Sequence, residues 1–320
     1  MIKTVCPKCK SELIYKEDKV VCINCNSIFP VISGITNFFP DMDEFYEGKF
    51  GATKTEVNFL RRRIVRIYLK VSVFSNRNKH EKYYRKLKLL DGNQIKVLDL
   101  GCGGGNPDLK LNKDCYVVGI DLSLSSLLNA REVYDEVYKA SATLLPFPSN
   151  TFDCVCSFDL FGHIPVNQKD DIFKEIYRVL KPEGLSFHYI EVDSPKGYNN
   201  WAKRYPKLYK KYFIERDGHF GLEYYKNTLD RFKKHGFSLL EYRVLGKFII
   251  APGELSKRFN NEYKAKHVGI KIAATFDASL SHNVQTKAIW GMILKPFQIV
   301  FEPLIPDCYG GMLFVAHKKK

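Results

Sequence analysis

The segment Ile95-Lys96-Val97-Leu98-Asp99-Leu100 runs without a spacer into Gly101-Cys102-Gly103-Gly104-Gly105, and this junction constrains the fold of the 320-residue chain more than any other. A short apolar run bounded by glycines reads as a buried strand. The glycines allow a sharp strand-to-helix turn and let the backbone approach a ligand closely. The next apolar run, Tyr116-Val117-Val118-Gly119-Ile120, ends in Asp121, twenty residues after Gly101. A carboxylate there accepts hydrogen bonds from the two hydroxyls of a ribose, so a nucleotide-type ligand is expected at this turn. Nicotinamide enzymes use the same geometry, but the dinucleotide pattern G-x-G-x-x-G requires glycine where this chain has Asn106.

Further strands are expected near residues 138, 154 and 185, with helices between them. This alternation predicts an α/β domain with a parallel sheet covered by helices on both faces. Gly236-Phe237 to Val244 supplies a sixth strand and Met312 to His317 a seventh.

At the N-terminus, Cys6-Pro7-Lys8-Cys9 and Cys22-Ile23-Asn24-Cys25 are separated by twelve residues, with short strands expected at Glu12 to Lys16 and Lys19 to Val21. Each pair turns two thiolates toward one point, and four thiolates complete the closed tetrahedral shell of a structural zinc. A redox C-x-x-C needs no second pair. The other five cysteines, Cys102, Cys115, Cys154, Cys156 and Cys308, read as small core residues. With no stretch of signal-peptide type before Cys6, a cytoplasmic protein, soluble or peripheral to the membrane, is expected.

Val97 to Gly105 resembles motif I of class I S-adenosylmethionine-dependent methyltransferases of the type 11-like kind. Ser141-Ala142-Thr143-Leu144-Leu145-Pro146-Phe147 to Asp153 resembles their segment around the adenine, and Ile176 to Leu185 resembles the helix and turn leading into their fifth strand. Ile28 to Ile35 resembles the end of the zinc ribbons that accompany many methyltransferases. The resemblance implies a Rossmann-like seven-stranded sheet whose last strand is antiparallel, after an N-terminal zinc ribbon. It implies cofactor contacts from Asp99, Gly101, Gly103, Gly105, Asp121, Ser141, Ala142 and Ser157. Ser141 departs from the family, which commonly has Asp there. His163 stands where the family often has a histidine beside the active site, and an imidazole of ordinary pKa suits general-base work. Structural packing is the competing reading of His163. Glu191, Asp193 and His219 are further candidates.

The expected organisation is a zinc ribbon over residues 1–45, a basic helical linker or lid over 46–91, and a methyltransferase domain over 92–320 with an insertion at about 246–308. Net charge is +15 and unevenly placed: about +9 over 51–91 and +12 over 193–320, against about −5 over 92–192. Leu60, Ile64, Ile67, Tyr68, Val71 and Phe74 form one stripe of an expected helix, much of whose other surface carries Arg61, Arg62, Arg63, Arg66 and Lys70. It reads equally as a cover helix and as a site for RNA or anionic lipid. Ala288 to Pro306 is apolar but interrupted by Lys295, Pro296, Glu302 and Pro303, which suits a substrate cap, an interfacial helix or sheet-edge packing rather than a membrane span.

Three functions fit this pattern. The leading one is methylation of a small-molecule, sugar or lipid-linked acceptor, with the basic surfaces meeting an anionic substrate or membrane. An rRNA or tRNA methyltransferase is the second, although the segment after the fourth strand, Ser157-Phe158-Asp159-Leu160, lacks the Asn/Asp-Pro-Pro-Tyr signature of exocyclic-amine enzymes. A non-catalytic adaptor retaining the fold is the third.

Overall fold

The computed structural model describes residues 1–40, 47–48, 94–111, 115–196, 198–246, 268–280 and 309–319, with isolated positions between 286 and 304. The expected helix at 60–74, with most of the 46–91 linker and of the 246–308 insertion, lies outside these residues, as does Cys308.

Residues 1–40 build a four-stranded antiparallel sheet from β1 (Leu13–Tyr15), β2 (Lys19–Cys22), β3 (Ile28–Ile32) and β4 (Ile35–Thr36). β1 and β2 fall on the two expected runs. β3 and β4 form a hairpin through Ser33 and Gly34, both in the left-handed region. A unit of about forty residues buries too little apolar surface to be stable unaided. Here its apolar back, Ile2, Val20, Phe29 and Phe38, joins one core with Tyr138, Phe147, Phe152 and Ile172 of the larger domain. Each such side chain, fully buried, contributes about 1.5–3 kcal/mol.

The larger domain is a single sheet of β5 (Ile95–Leu100), β6 (Cys115–Asp121), β7 (Glu136–Lys139), β8 (Phe152–Phe158), β9 (Leu180–Glu191), β10 (Phe237–Gly246) and β11 (Tyr309–Lys318). Their order is β10-β11-β9-β8-β5-β6-β7. β5 through β9 pair in parallel, whereas β11 runs antiparallel to both β9 and β10, the reversal that the sequence resemblance implied. Strand alternation sends Leu98, Leu100, Ile120 and Val155 to one face, against the helices Lys169–Val179 and Tyr225–Lys234. Val97, Val117, Cys154 and Cys156 go to the other, against the helix Leu124–Ala130. β9 begins at Leu180 rather than near 185: Leu180 pairs with Phe152 and Leu185 with Cys154, and Lys181-Pro182-Glu183-Gly184 bulges out of the ladder between them.

From the central strand β5 the chain crosses first to β6 on one side and later to β8 on the other, which opens a crevice at the carboxyl ends of these strands. No helix among the described residues is long and apolar enough to cross a membrane.

Candidate active site

The crevice is a cleft of about 290 Å³ bordered by Gly101, Gly103, Asp121, Ser141, Ala142 and His163. Gly101 is required by the turn itself: its φ is +65°, and a Cβ there would meet Leu160 Cδ1 at 2.9 Å. Asp121, at the end of β6, accepts hydrogen bonds from the backbone N–H groups of Gly103 (2.8 Å) and Ser123 (2.9 Å), which fix the carboxylate beside the glycine turn. Burial pushes its pKa up, and those N–H groups oppose the shift. Asp159, left-handed at φ +59°, is the second carboxylate on the lining, which among the described residues contains no Lys or Arg. Such a surface suits a cationic ligand such as a sulfonium. Ser141 Oγ lies 2.8 Å from Thr143 Oγ1 and accepts from Thr143 N–H, which closes the loop on the cleft's rim.

Three of the expected cofactor residues do not border the cleft. Asp99 alternates onto the face of β5 shared with Val97, where it is 2% exposed and accepts the Tyr134 hydroxyl at 2.6 Å. Tyr134 in turn accepts from Asn106 N–H at 2.7 Å, so Asp99 braces the glycine turn from below. Burial raises its pKa to about 7. Gly105 packs on Ala130 of the following helix. Ser157 lies inside the opposite core, with Oγ 2.7 Å from His188 Nδ1, and burial holds His188 down to about 3. Tyr134 carried no motif in the sequence that marked it as Asp99's partner.

His163 closes the 3-10 turn Phe161–His163 after β8 and faces the cleft. Its Nδ1 is 3.1 Å from the Gly218 carbonyl, and its ring centroid is 5.2 Å from that of His219. His219 Nε2 lies 2.7 Å from Glu191 Oε2 at the end of β9. Asp193, two residues on, is turned into an ion pair with Lys203 and is buried away from this group.

The two C-x-x-C pairs converge. Cys6 and Cys25 Sγ are 3.6 Å apart and Cys9 and Cys22 Sγ 3.4 Å, with all four sulfurs within 4.8 Å of one another. All four are free thiols. A tetrahedral zinc with bonds of about 2.3 Å sets sulfur-sulfur edges near about 3.8 Å, so the donor set fits that ion. The residue after each pair, Lys10 and Asn26, is left-handed and turns the chain back at the end of the knuckle. The N-terminal four-stranded sheet grips the 141–153 segment directly. Val5 N–H donates to the Pro146 carbonyl (2.9 Å), and Lys10 Nζ donates to Leu145 O (3.1 Å) and pairs with Glu175 (2.9 Å). Phe38 N–H reaches the Lys139 carbonyl at the end of β7 (2.8 Å).

Residues 98–187 match a family of methyltransferase domains. A sterol 24-C-methyltransferase of Clavispora lusitaniae is 27% identical over 220 residues, 61% of this chain and 56% of the relative. A phosphoethanolamine N-methyltransferase of Triticum aestivum is 39% identical over 97 residues, 28% of this chain and 19% of the relative. The chain thus spans about half, or less, of the length of these curated relatives. Among solved structures, MccD protein superposes with a TM-score of 0.51 at 19% identity, covering 75% of this chain and 96% of that one, a likeness of fold. The matched residues 98–187 run from β5 into β9 of a mixed, Rossmann-like seven-stranded sheet.

Proposed function

We propose that the chain is a class I S-adenosylmethionine-dependent methyltransferase that methylates a small-molecule or lipid-linked acceptor and holds a structural zinc in its ribbon. The observation that carries the reading is the cleft at the ends of β5, β6 and β8, where Gly101, Gly103 and Asp121 combine a close backbone approach with a ribose-type carboxylate. The acidic lining, without Lys or Arg among the described residues, favours the sulfonium. Methyl transfer then consists mainly of holding the acceptor in line with the methyl carbon. A bond forms from the acceptor atom as the carbon-sulfur bond breaks, and the sulfonium leaves as a neutral thioether. An acceptor hydroxyl or ammonium must give up a proton, and His163 is the imidazole on the cleft that suits this role.

A lipid-linked acceptor, with peripheral membrane contact, is supported by the helix Val268–Leu280, where Val268, Ile272 and Phe276 fall four apart and are 71%, 64% and 57% exposed. The relatives' names, sterol and phosphoethanolamine, are compatible with such acceptors.

Calorimetric titration with S-adenosylmethionine and S-adenosylhomocysteine tests the reading. Saturable binding is expected, weakened about ten- to a hundredfold by Asp121→Ala, the value of hydrogen bonds to a charged group. No binding by well-folded protein overturns it. Sedimentation with vesicles, lost in a Val268, Ile272 and Phe276 triple serine variant, tests the membrane contact.

A further inference from the structure

His163, Glu191 and His219 come from three distant segments, yet one ligand-type atom of each lies within 4.8 Å of the others. The segments are locked together by backbone. Gly221 N–H donates to Gly162 O at 3.0 Å, and a Cβ on Gly221 would stand 1.7 Å from Ile164 O, so no other residue fits there. Lys169 Nζ, buried, donates to Gly221 O at 2.6 Å. The π-helical turn Lys210–Arg216 ends with Gly218 N–H on Ile214 O and His219 N–H on Phe213 O, both 2.9 Å, which aims His219 back at Glu191. π-helical turns recur at functional sites.

The hydrogen bonds also set the imidazoles. Gly218 O can only accept, so His163 Nδ1 carries the proton and, in the neutral ring, Nε2 the lone pair. A carbonyl on one ring nitrogen, fixing the other as donor atom, is the outer-shell arrangement of metal-binding histidines. His219 donates through Nε2 to Glu191, which leaves its Nδ1 buried without a hydrogen-bond partner among the described residues. An ion binding to the group exchanges that imidazole-carboxylate bond for two coordinate bonds.

We propose that His163, Glu191 and His219 form a second metal site, distinct from the four-cysteine cluster, for a divalent transition-metal ion. Two imidazoles and one carboxylate suit zinc, iron, cobalt or manganese, and three protein ligands leave coordination positions open. Because His163 borders the cleft, those positions take an oxygen donor of the acceptor; this role, unlike ion binding itself, rests on the methyltransferase reading. With an ion bound, His163 would serve as a ligand in place of the general base, and a hydroxyl held there would give its proton to solvent more readily. Its oxygen then forms the bond to the methyl carbon as the carbon-sulfur bond breaks.

The experiment is titration of full-length, zinc-loaded protein with Co2+, followed by absorption spectroscopy and metal analysis, with S-adenosylhomocysteine binding measured on the same samples. Cobalt in a three-ligand N/O site lacks the intense thiolate charge-transfer bands of cobalt in the ribbon, so the two sites are told apart. One further Co2+ per chain is expected, lost in His219→Ala and in the near-isosteric Glu191→Gln, both keeping their ribbon zinc and binding S-adenosylhomocysteine within about threefold of the parent. Absence of the further ion from the parent, or its retention in both variants, overturns the site. A bound second ion with no S-adenosylhomocysteine binding leaves the site standing and sinks the methyltransferase reading. The reverse result does the opposite.

Discussion

The cleft has two walls built on different principles. One is made from strand ends and turns, each a short window of sequence: Gly101 to Gly103, Asp121 and the Ser141-Ala142 loop. On the other side the cleft is bordered by His163, and the side chains of Glu191 and His219 reach His163 from separate segments held by backbone bonds. That first wall depends on backbone conformation and, apart from the Asp121 carboxylate, tolerates side-chain changes that keep the conformation. A wall of side chains is lost one functional group at a time, while the pocket around it persists.

The sharpest way to break this contrast is Gly101→Val. The left-handed φ and the contact with Leu160 leave no room for a branched side chain, so S-adenosylhomocysteine affinity should fall more than a hundredfold in calorimetry. Retained affinity would mean that the turn is plastic and the contrast false. Glu191→Gln should show the converse: turnover down at least a hundredfold in a methyl-transfer assay with affinity for S-adenosylhomocysteine unchanged. A joint loss of both would show the walls to be one mechanical unit.

A smaller effect separates support from contact. Asp99 has a folded-state pKa near about 7, against about 3.9 when unfolded, so the folded protein holds its proton between those values. This group's contribution therefore makes stability fall as pH rises from about 4 to about 7, by at most about 1.4 kcal/mol per pH unit. Asp99→Asn removes the slope, and the variant's melting temperature should climb relative to the parent's across that window. A constant difference between the two would show that Asp99 is ionised throughout, held by Tyr134. The smallest change expected is Ser141→Ala, about threefold in cofactor affinity, since Ser141 Oγ already pairs with Thr143.

What could be read from the chain itself follows the same division. The glycine turn, Asp121 and the parallel strands were legible because each lies in a short window whose spacing states its geometry. The reversed seventh strand and the four-cysteine cluster were legible by resemblance and spacing. Motif position says nothing of the face that strand alternation gives a residue, so the setting of Asp99 and Ser157 off the border of the cleft was not legible. Joining Glu191 and His219 to His163 needed the turn at 210–221, whose local sequence has no periodic signal of what it faces. Also invisible in the sequence was the shared core of Phe29, Phe38, Tyr138 and Phe147, since apolar residues in two modules do not announce that they are partners.

That shared core has a consequence for the chain during its own synthesis. All four cysteines of the cluster have emerged once residue 25 has, but Phe29 and Phe38 lack the core they share with Tyr138 and Phe147 until those residues follow. At the usual pace of translation that interval lasts roughly ten seconds. A four-stranded unit with an apolar back thus waits, during synthesis, for the segment at 136–148 that it finally clasps.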